Sequence, residues 1–153
     1  MPFNVTFKSI EPVRIVGLRW QGSDALEIKG LWDRYIKRVI AEKGDVPYQE
    51  YYGGCRMSPE LPEGEFEYLA AAALSDGASI PEGFEVWDIP GGNYAVCQVP
   101  NLAALKDACD WFFGPWLAES GNSRDERTID FELYPPGFRD DSELFIYMPV
   151  KSS

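Results

Sequence analysis

An internal repeat constrains this chain more than any other feature. Two helical patterns superpose at one offset: Tyr35 on Phe112, Ile36 on Phe113, Val39 on Trp116, Ile40 on Leu117 and Gly44 on Gly121. Their flanks repeat as well. Strand patterns at Pro12–Trp20 and Tyr94–Val99 precede the helices, and the pairs Tyr48–Met57 with Phe66–Leu74 and Thr128–Tyr134 with Leu144–Val150 follow them. Turn residues at Pro59–Gly64 and Pro135–Asp141 separate the members of each pair. The order is β-α-β-β, twice. Such a repeat predicts an α+β fold of tandem modules, each an antiparallel sheet with a helix on one face, joined about a pseudo-twofold axis. The halves run over about 7–77 and 84–151 of a single domain, 1–153, with Ala78–Gly92 connecting them.

Both helices carry their own start and stop signals. Asp24 and Glu27 have capping-box spacing ahead of the stripe Ile28, Leu31, Trp32, Tyr35, Ile36, Val39 and Ile40, and Gly44 closes it. Asn101 caps the second, whose stripe of Leu105, Ala108, Cys109, Phe112, Phe113, Trp116 and Leu117 ends before Gly121. Pro115 predicts a kink or local break. Trp32, Phe112, Phe113 and Trp116 follow helical spacing and read as core.

Composition removes several chemistries. There is no histidine, which excludes Ser-His-Asp and Cys-His nucleophiles, histidine-ligated metals and the usual neutral-pH base. Neither a metal nor a cofactor is expected. A net charge of −11 argues against direct contact with a nucleic-acid backbone, which demands a basic face. Cys55, Cys97 and Cys109 are scattered and odd in number, as expected of reduced core thiols in a cytoplasmic protein. No apolar run approaches a membrane span, and MPFNVTFKSI lacks the order of a signal peptide.

The stretch TIDFELYPP sets a carboxylate in a strand of large apolar residues. Alternation places Ile129, Phe131 and Leu133 on one face and Asp130, Glu132 and Tyr134 on the other. Glu132 is central, and a carboxylate among aromatic rings suits an organic cation. In the last strand Leu144, Ile146 and Met148 share one face, and Phe145 and Tyr147 the other. The expectation is that Phe145, Tyr147, Tyr134 and Glu132 gather on the face away from the helices and form a groove there. Asp130 and Glu50 are weaker acidic candidates and read as solvated.

Three runs carry a resemblance: WFFGPWLAESG (Trp111–Gly121), DFELYPP (Asp130–Pro136) and ELFIYMPVK (Glu143–Lys151). With the upstream EPVRIVGLRWQGS, YYGGCRM, FEYLAAAAL and IPGGNYAVCQVP, the chain resembles the GyrI-like small-molecule-binding superfamily from Phe7 to Lys151. This superfamily includes effector-binding domains of AraC-type and MerR-type regulators. The resemblance implies a central ligand cleft between the modules that takes bulky, often cationic drugs, with its acidic residue at Glu132. It also implies aromatic lining, matched in order of preference by Trp20, Tyr52, Trp87, Tyr94, Trp111 and Tyr147. No DNA-binding segment flanks these runs, so a stand-alone drug-sensing or sequestering module is expected. Two alternatives follow from the same resemblance. One is hydrolysis of cyclopropane-containing toxins with Glu132 as base; the other is a protein-interaction module such as a gyrase inhibitor. Acidity permits docking on a basic protein, and exposed strand edges permit a homodimer.

Overall fold

The structure, a computed structural model, describes residues 2–57, 60–125 and 129–151; Pro59 and Thr128, predicted to open a turn and a strand, lie outside them. Nine strands are present among the described residues: β1 (Asn4–Ile10), β2 (Val13–Gly22), β3 (Tyr51–Arg56), β4 (Phe66–Ala73), β5 (Glu85–Ile89), β6 (Gly92–Val99), β7 (Ser123–Arg124), β8 (Asp130–Tyr134) and β9 (Leu144–Lys151). The helices are α1 (Ile28–Lys43), α2 (Leu105–Trp111) and α3 (Leu117–Ser120). All strand pairing is antiparallel, in the order β1-β6-β9-β8-β3-β4-β2-β5, and β7 joins β9 from off this path.

The predicted α+β repeat is present, with two differences. The halves do not form separate sheets, because β3 pairs with β8 and makes one continuous sheet. Three further strands lie outside the β-α-β-β pattern: the two-residue β7 adds to β9, and β1 and β5 cross over. β1 leaves the first half to pair with β6, while β5 pairs back onto β2. These pairings are non-local, and periodicity within a strand carries no sign of them.

The crossover dictates the sheet's shape. β1 is one edge and β2 is next to the opposite edge, yet only Glu11 and Pro12 connect them. Only Pro90 and Gly91 connect β5 to β6. A link of this length spans about 11 Å, so the two ends of the sheet must curl toward each other. One face is thereby enclosed. It holds a single cluster running from Ile15, Trp87 and Ile89 through Tyr52 and Phe131 to Tyr94, Val96 and Tyr147. The outer face carries the helices, with α1 over Trp20, Tyr68 and Ala70 and α2 over Ala95, Cys97, Ile146 and Met148.

Local signals work largely as read. Asp24 accepts the Leu26 N–H at 3.0 Å, and Asn101 accepts that of Ala104 at 3.0 Å. Glu27 accepts the Trp20 indole N–H at 3.1 Å, so its side chain serves packing between α1 and β2. Gly44 and Gly121 end the helices in the left-handed conformation. Pro115 interrupts its helix locally as expected: a π-helical turn over Phe112–Trp116 separates α2 from α3 and takes up the missing N–H. No helix among the described residues is long and apolar enough to cross a membrane.

Candidate functional site

The candidate site lies where the halves meet. At the β3–β8 join, Gly53 stands opposite Glu132. Alternation puts Tyr51, Gly53 and Cys55 of β3 and Asp130, Glu132 and Tyr134 of β8 on the helix-bearing face. Tyr68 of β4 is opposite Cys55 on that face, and Ile146 of β9 is opposite Glu132. From α1, Trp32 reaches across the join. Its ring meets Tyr68 at a centroid distance of 6.3 Å and Tyr134, in the other half, at 5.4 Å, both edge-on.

Glu132 anchors a chain of hydrogen bonds. The Tyr134 hydroxyl donates to its Oε1 at 2.6 Å and the Tyr68 hydroxyl donates to the same oxygen at 2.8 Å. The Trp32 Nε1–H donates in turn to the Tyr68 oxygen at 3.0 Å. Gly53 makes this approach possible. A Cβ there would lie 2.0 Å from the Tyr68 hydroxyl oxygen and 2.9 Å from Oε1 of Glu132, so any side chain would displace one of them.

Burial raises the Glu132 carboxyl above its usual range, and the two hydroxyl donors hold that rise in check. Tyr68 and Tyr134 are pushed well above their ordinary value by burial and by the facing carboxylate, so both remain neutral donors. Cys55 is likewise raised, and Cys109 reaches about 12, with Glu132 the largest charged influence on each after burial. Neither thiol is activated as a nucleophile. No group of three or more acidic or cysteine side chains among the described residues is arranged to hold a metal ion.

The predicted site residues separate between the two faces. Trp20 lies on the helix face opposite Tyr68, packed on Phe66 at 5.2 Å. Tyr52, Trp87, Tyr94 and Tyr147 lie on the enclosed face, away from Glu132. Tyr147 stacks on Phe131 at 4.5 Å, the Tyr94 hydroxyl donates to the Pro90 carbonyl at 2.7 Å, and Arg56 covers the Trp87 ring at 4.0 Å. Trp111 packs on Phe3 at 5.6 Å toward the rim of the second helix cluster. The expected gathering of Phe145 and Tyr147 with Glu132 and Tyr134 is therefore corrected. Glu132 is in register with Ile146, whereas Tyr147 is in register with Phe131. The groove expected away from the helices is corrected too, because curling has filled that face with core. Asp130 is buried and ion-paired with Arg124 rather than solvated, while Glu50 is exposed as expected.

Sequence reasoning missed Trp32, Tyr68 and Gly53. Trp32 sits on the apolar stripe of α1 and is indistinguishable there from core. Tyr68 is 64 positions from Glu132, and its one visible mark is a phenol in a strand otherwise running to alanines.

Comparison with known proteins agrees with this architecture. The transcriptional regulator BrlR of Pseudomonas aeruginosa is 30% identical over 142 residues, covering 89% of this chain and 51% of the regulator. The chain thus spans about half the length of that relative. Among solved structures, SAV2435 bound to tetraphenylphosphonium superposes with a TM-score of 0.75 at 21% identity, over 97% of this chain and 94% of that one. The C-terminal domain of EcmrR gives 0.71 at 15% identity over the full length of both. The model of the GyrI-like small molecule binding domain matches residues 3–151, and the chain belongs to that family.

Proposed function

We propose that this chain binds bulky lipophilic cations at the join of the two halves, beside Trp32 of α1, as a sensing or sequestering unit formed by both halves, with Glu132 as the counter-charge. One observation carries the reading. Of the carboxylates Glu67, Asp130 and Glu132 set into the sheet, the first two are neutralised by arginines. Glu132 has hydroxyl donors and no cationic partner among the described residues. Hydroxyls orient a carboxylate without cancelling its charge, and an uncompensated charge in a partly dry site is unfavourable. A cationic guest supplies the missing charge, and the rings around it add about 0.5–2 kcal/mol for each cation–π contact. The tetraphenylphosphonium held by SAV2435 has this chemistry.

Trp32 packs edge-on against both tyrosines that bond Glu132, so on this reading a guest reaching the carboxylate displaces the indole from Tyr68 and Tyr134. Binding should therefore change tryptophan emission. The test titrates tetraphenylphosphonium and the neutral triphenylphosphine oxide against the wild-type chain and Glu132→Gln, with calorimetry beside fluorescence. Glu132→Gln should weaken the phosphonium by about tenfold or more and the oxide by little. Equal weakening of both would remove the electrostatic role of Glu132.

A further inference from the structure

We infer that Tyr68 and Tyr134 decide which cations the Glu132 site accepts: quaternary and other onium heads that need no hydrogen bond, rather than forked amidinium or guanidinium heads. The inference rests on Glu132 being the counter-charge and concerns only how its two oxygens are shared.

A carboxylate oxygen offers two lone pairs. Both hydroxyls, at 2.6 and 2.8 Å, converge on the same atom, Oε1. That atom is saturated, and Oε2 alone is left for a guest. A planar forked cation gains its advantage by engaging both oxygens at once with parallel N–H bonds. Here it would make one bond and leave a second N–H facing aromatic rings, where an unmet donor is costly. A quaternary head makes no such demand, because charge and ring faces are all it uses.

The arrangement is held from behind. Trp32 Nε1–H occupies the Tyr68 oxygen at 3.0 Å, and Gly53 leaves the room in which that hydroxyl lies. The other titratable groups facing Glu132 are fixed. Cys55 on β3 and Cys109 on α2 are held protonated by burial, and Asp130 on β8 is paired with Arg124. Tyr68 and Tyr134 are thus positioning residues that set selectivity through Glu132.

The test compares two guests with one biphenyl body, 4-biphenylyl-trimethylammonium and biphenyl-4-carboxamidinium. Each is titrated by calorimetry against the wild-type chain, Tyr68→Phe, Tyr134→Phe and Glu132→Gln, with circular dichroism melts checking that each variant folds. The wild-type chain should prefer the trimethylammonium by about tenfold, and either phenylalanine variant should erase most of that ratio by freeing a lone pair on Oε1. Loss of either hydroxyl should also move the pH midpoint of trimethylammonium binding upward, an effect that a purely structural role would not produce. A ratio unchanged within about twofold in every folded phenylalanine variant, while Glu132→Gln still weakens both guests, overturns this inference and leaves the counter-charge reading standing. Indifference of both guests to Glu132→Gln overturns the counter-charge reading, and this inference with it.

Discussion

Glu67 and Glu132 lie on opposite faces of one sheet and solve the same electrostatic problem differently. Glu67 is buried, and the chain supplies its counter-ions. Arg19 reaches it at 2.5 Å and Arg56 at 2.9 Å, and Arg56 also lies over the Trp87 ring at 4.0 Å. Those hydrogen bonds, led by Arg56, hold the Glu67 carboxyl below its usual range. Glu132 receives only hydroxyls, and burial holds its carboxyl above that range. One carboxylate is complete as folded. The other is oriented but has no cationic partner among the described residues, and the proposed guest would complete it.

The sharpest way to break this contrast is to neutralise each carboxylate in turn. Glu67→Gln leaves Arg19 and Arg56 facing each other without their shared anion, and the loss should be about 2–3 kcal/mol in urea unfolding at neutral pH. Glu132→Gln removes a charge that the fold leaves uncompensated and keeps an oxygen for both hydroxyls. It should be neutral or stabilising by up to about 1 kcal/mol. Similar losses in both variants would mean that the hydroxyls compensate Glu132 as well as arginines compensate Glu67.

Titration sharpens the same contrast, with opposite signs at the two sites. A carboxyl raised by folding binds its proton more readily in the folded state. Its contribution is fully present below its unfolded value and is lost as pH rises through the folded value. For Glu132 that loss begins near the ordinary value of 4.5 and runs upward, so the advantage of Glu132→Gln should open on raising the pH and close in acid. Glu67 has a lowered carboxyl, so its contribution is present above its unfolded value and disappears as pH falls through the folded one. The deficit of Glu67→Gln should therefore shrink on acidification. Melting temperatures of the three proteins across this range measure both slopes, and parallel slopes would contradict the contrast. Cation binding should strengthen as pH rises through the Glu132 transition, because only the ionised form attracts the guest.

How much of this was legible depends on how local each signal is. The helices and most strands were readable because caps, closing glycines and side-chain periods all lie within a few residues. Glu132 was readable for a related reason, since a carboxylate at the centre of an apolar strand stands out without any knowledge of pairing. The face it occupies was not readable. Alternation defines two faces of DFELY but does not say which meets a helix, and the most apolar set, Ile129, Phe131 and Leu133, went to the enclosed side instead. That enclosure follows from the exchange of β1 and β5, a long-range pairing with no local mark. Tyr52, Trp87, Tyr94 and Tyr147 consequently became core, and the aromatic lining near Glu132 came from Trp32, Tyr68 and Tyr134.

The smallest effect expected is at Trp32, the indole packed on both tyrosines that bond Glu132. Trp32→Phe keeps a ring at this position while deleting the N–H that reaches Tyr68 and reducing the edge-on contact with Tyr134. The Tyr68 oxygen loses one donor but still donates to Glu132, so the stability cost should be about 1 kcal/mol or less. The kinetic effect should run the other way. If leaving Tyr68 and Tyr134 is part of ligand entry, the smaller, unbonded ring departs more easily, and tetraphenylphosphonium should associate faster in stopped-flow fluorescence. Its preference over the neutral oxide should not change, because that difference belongs to Glu132. An unchanged association rate in a folded Trp32→Phe variant would mean that the guest enters by a route the indole does not block.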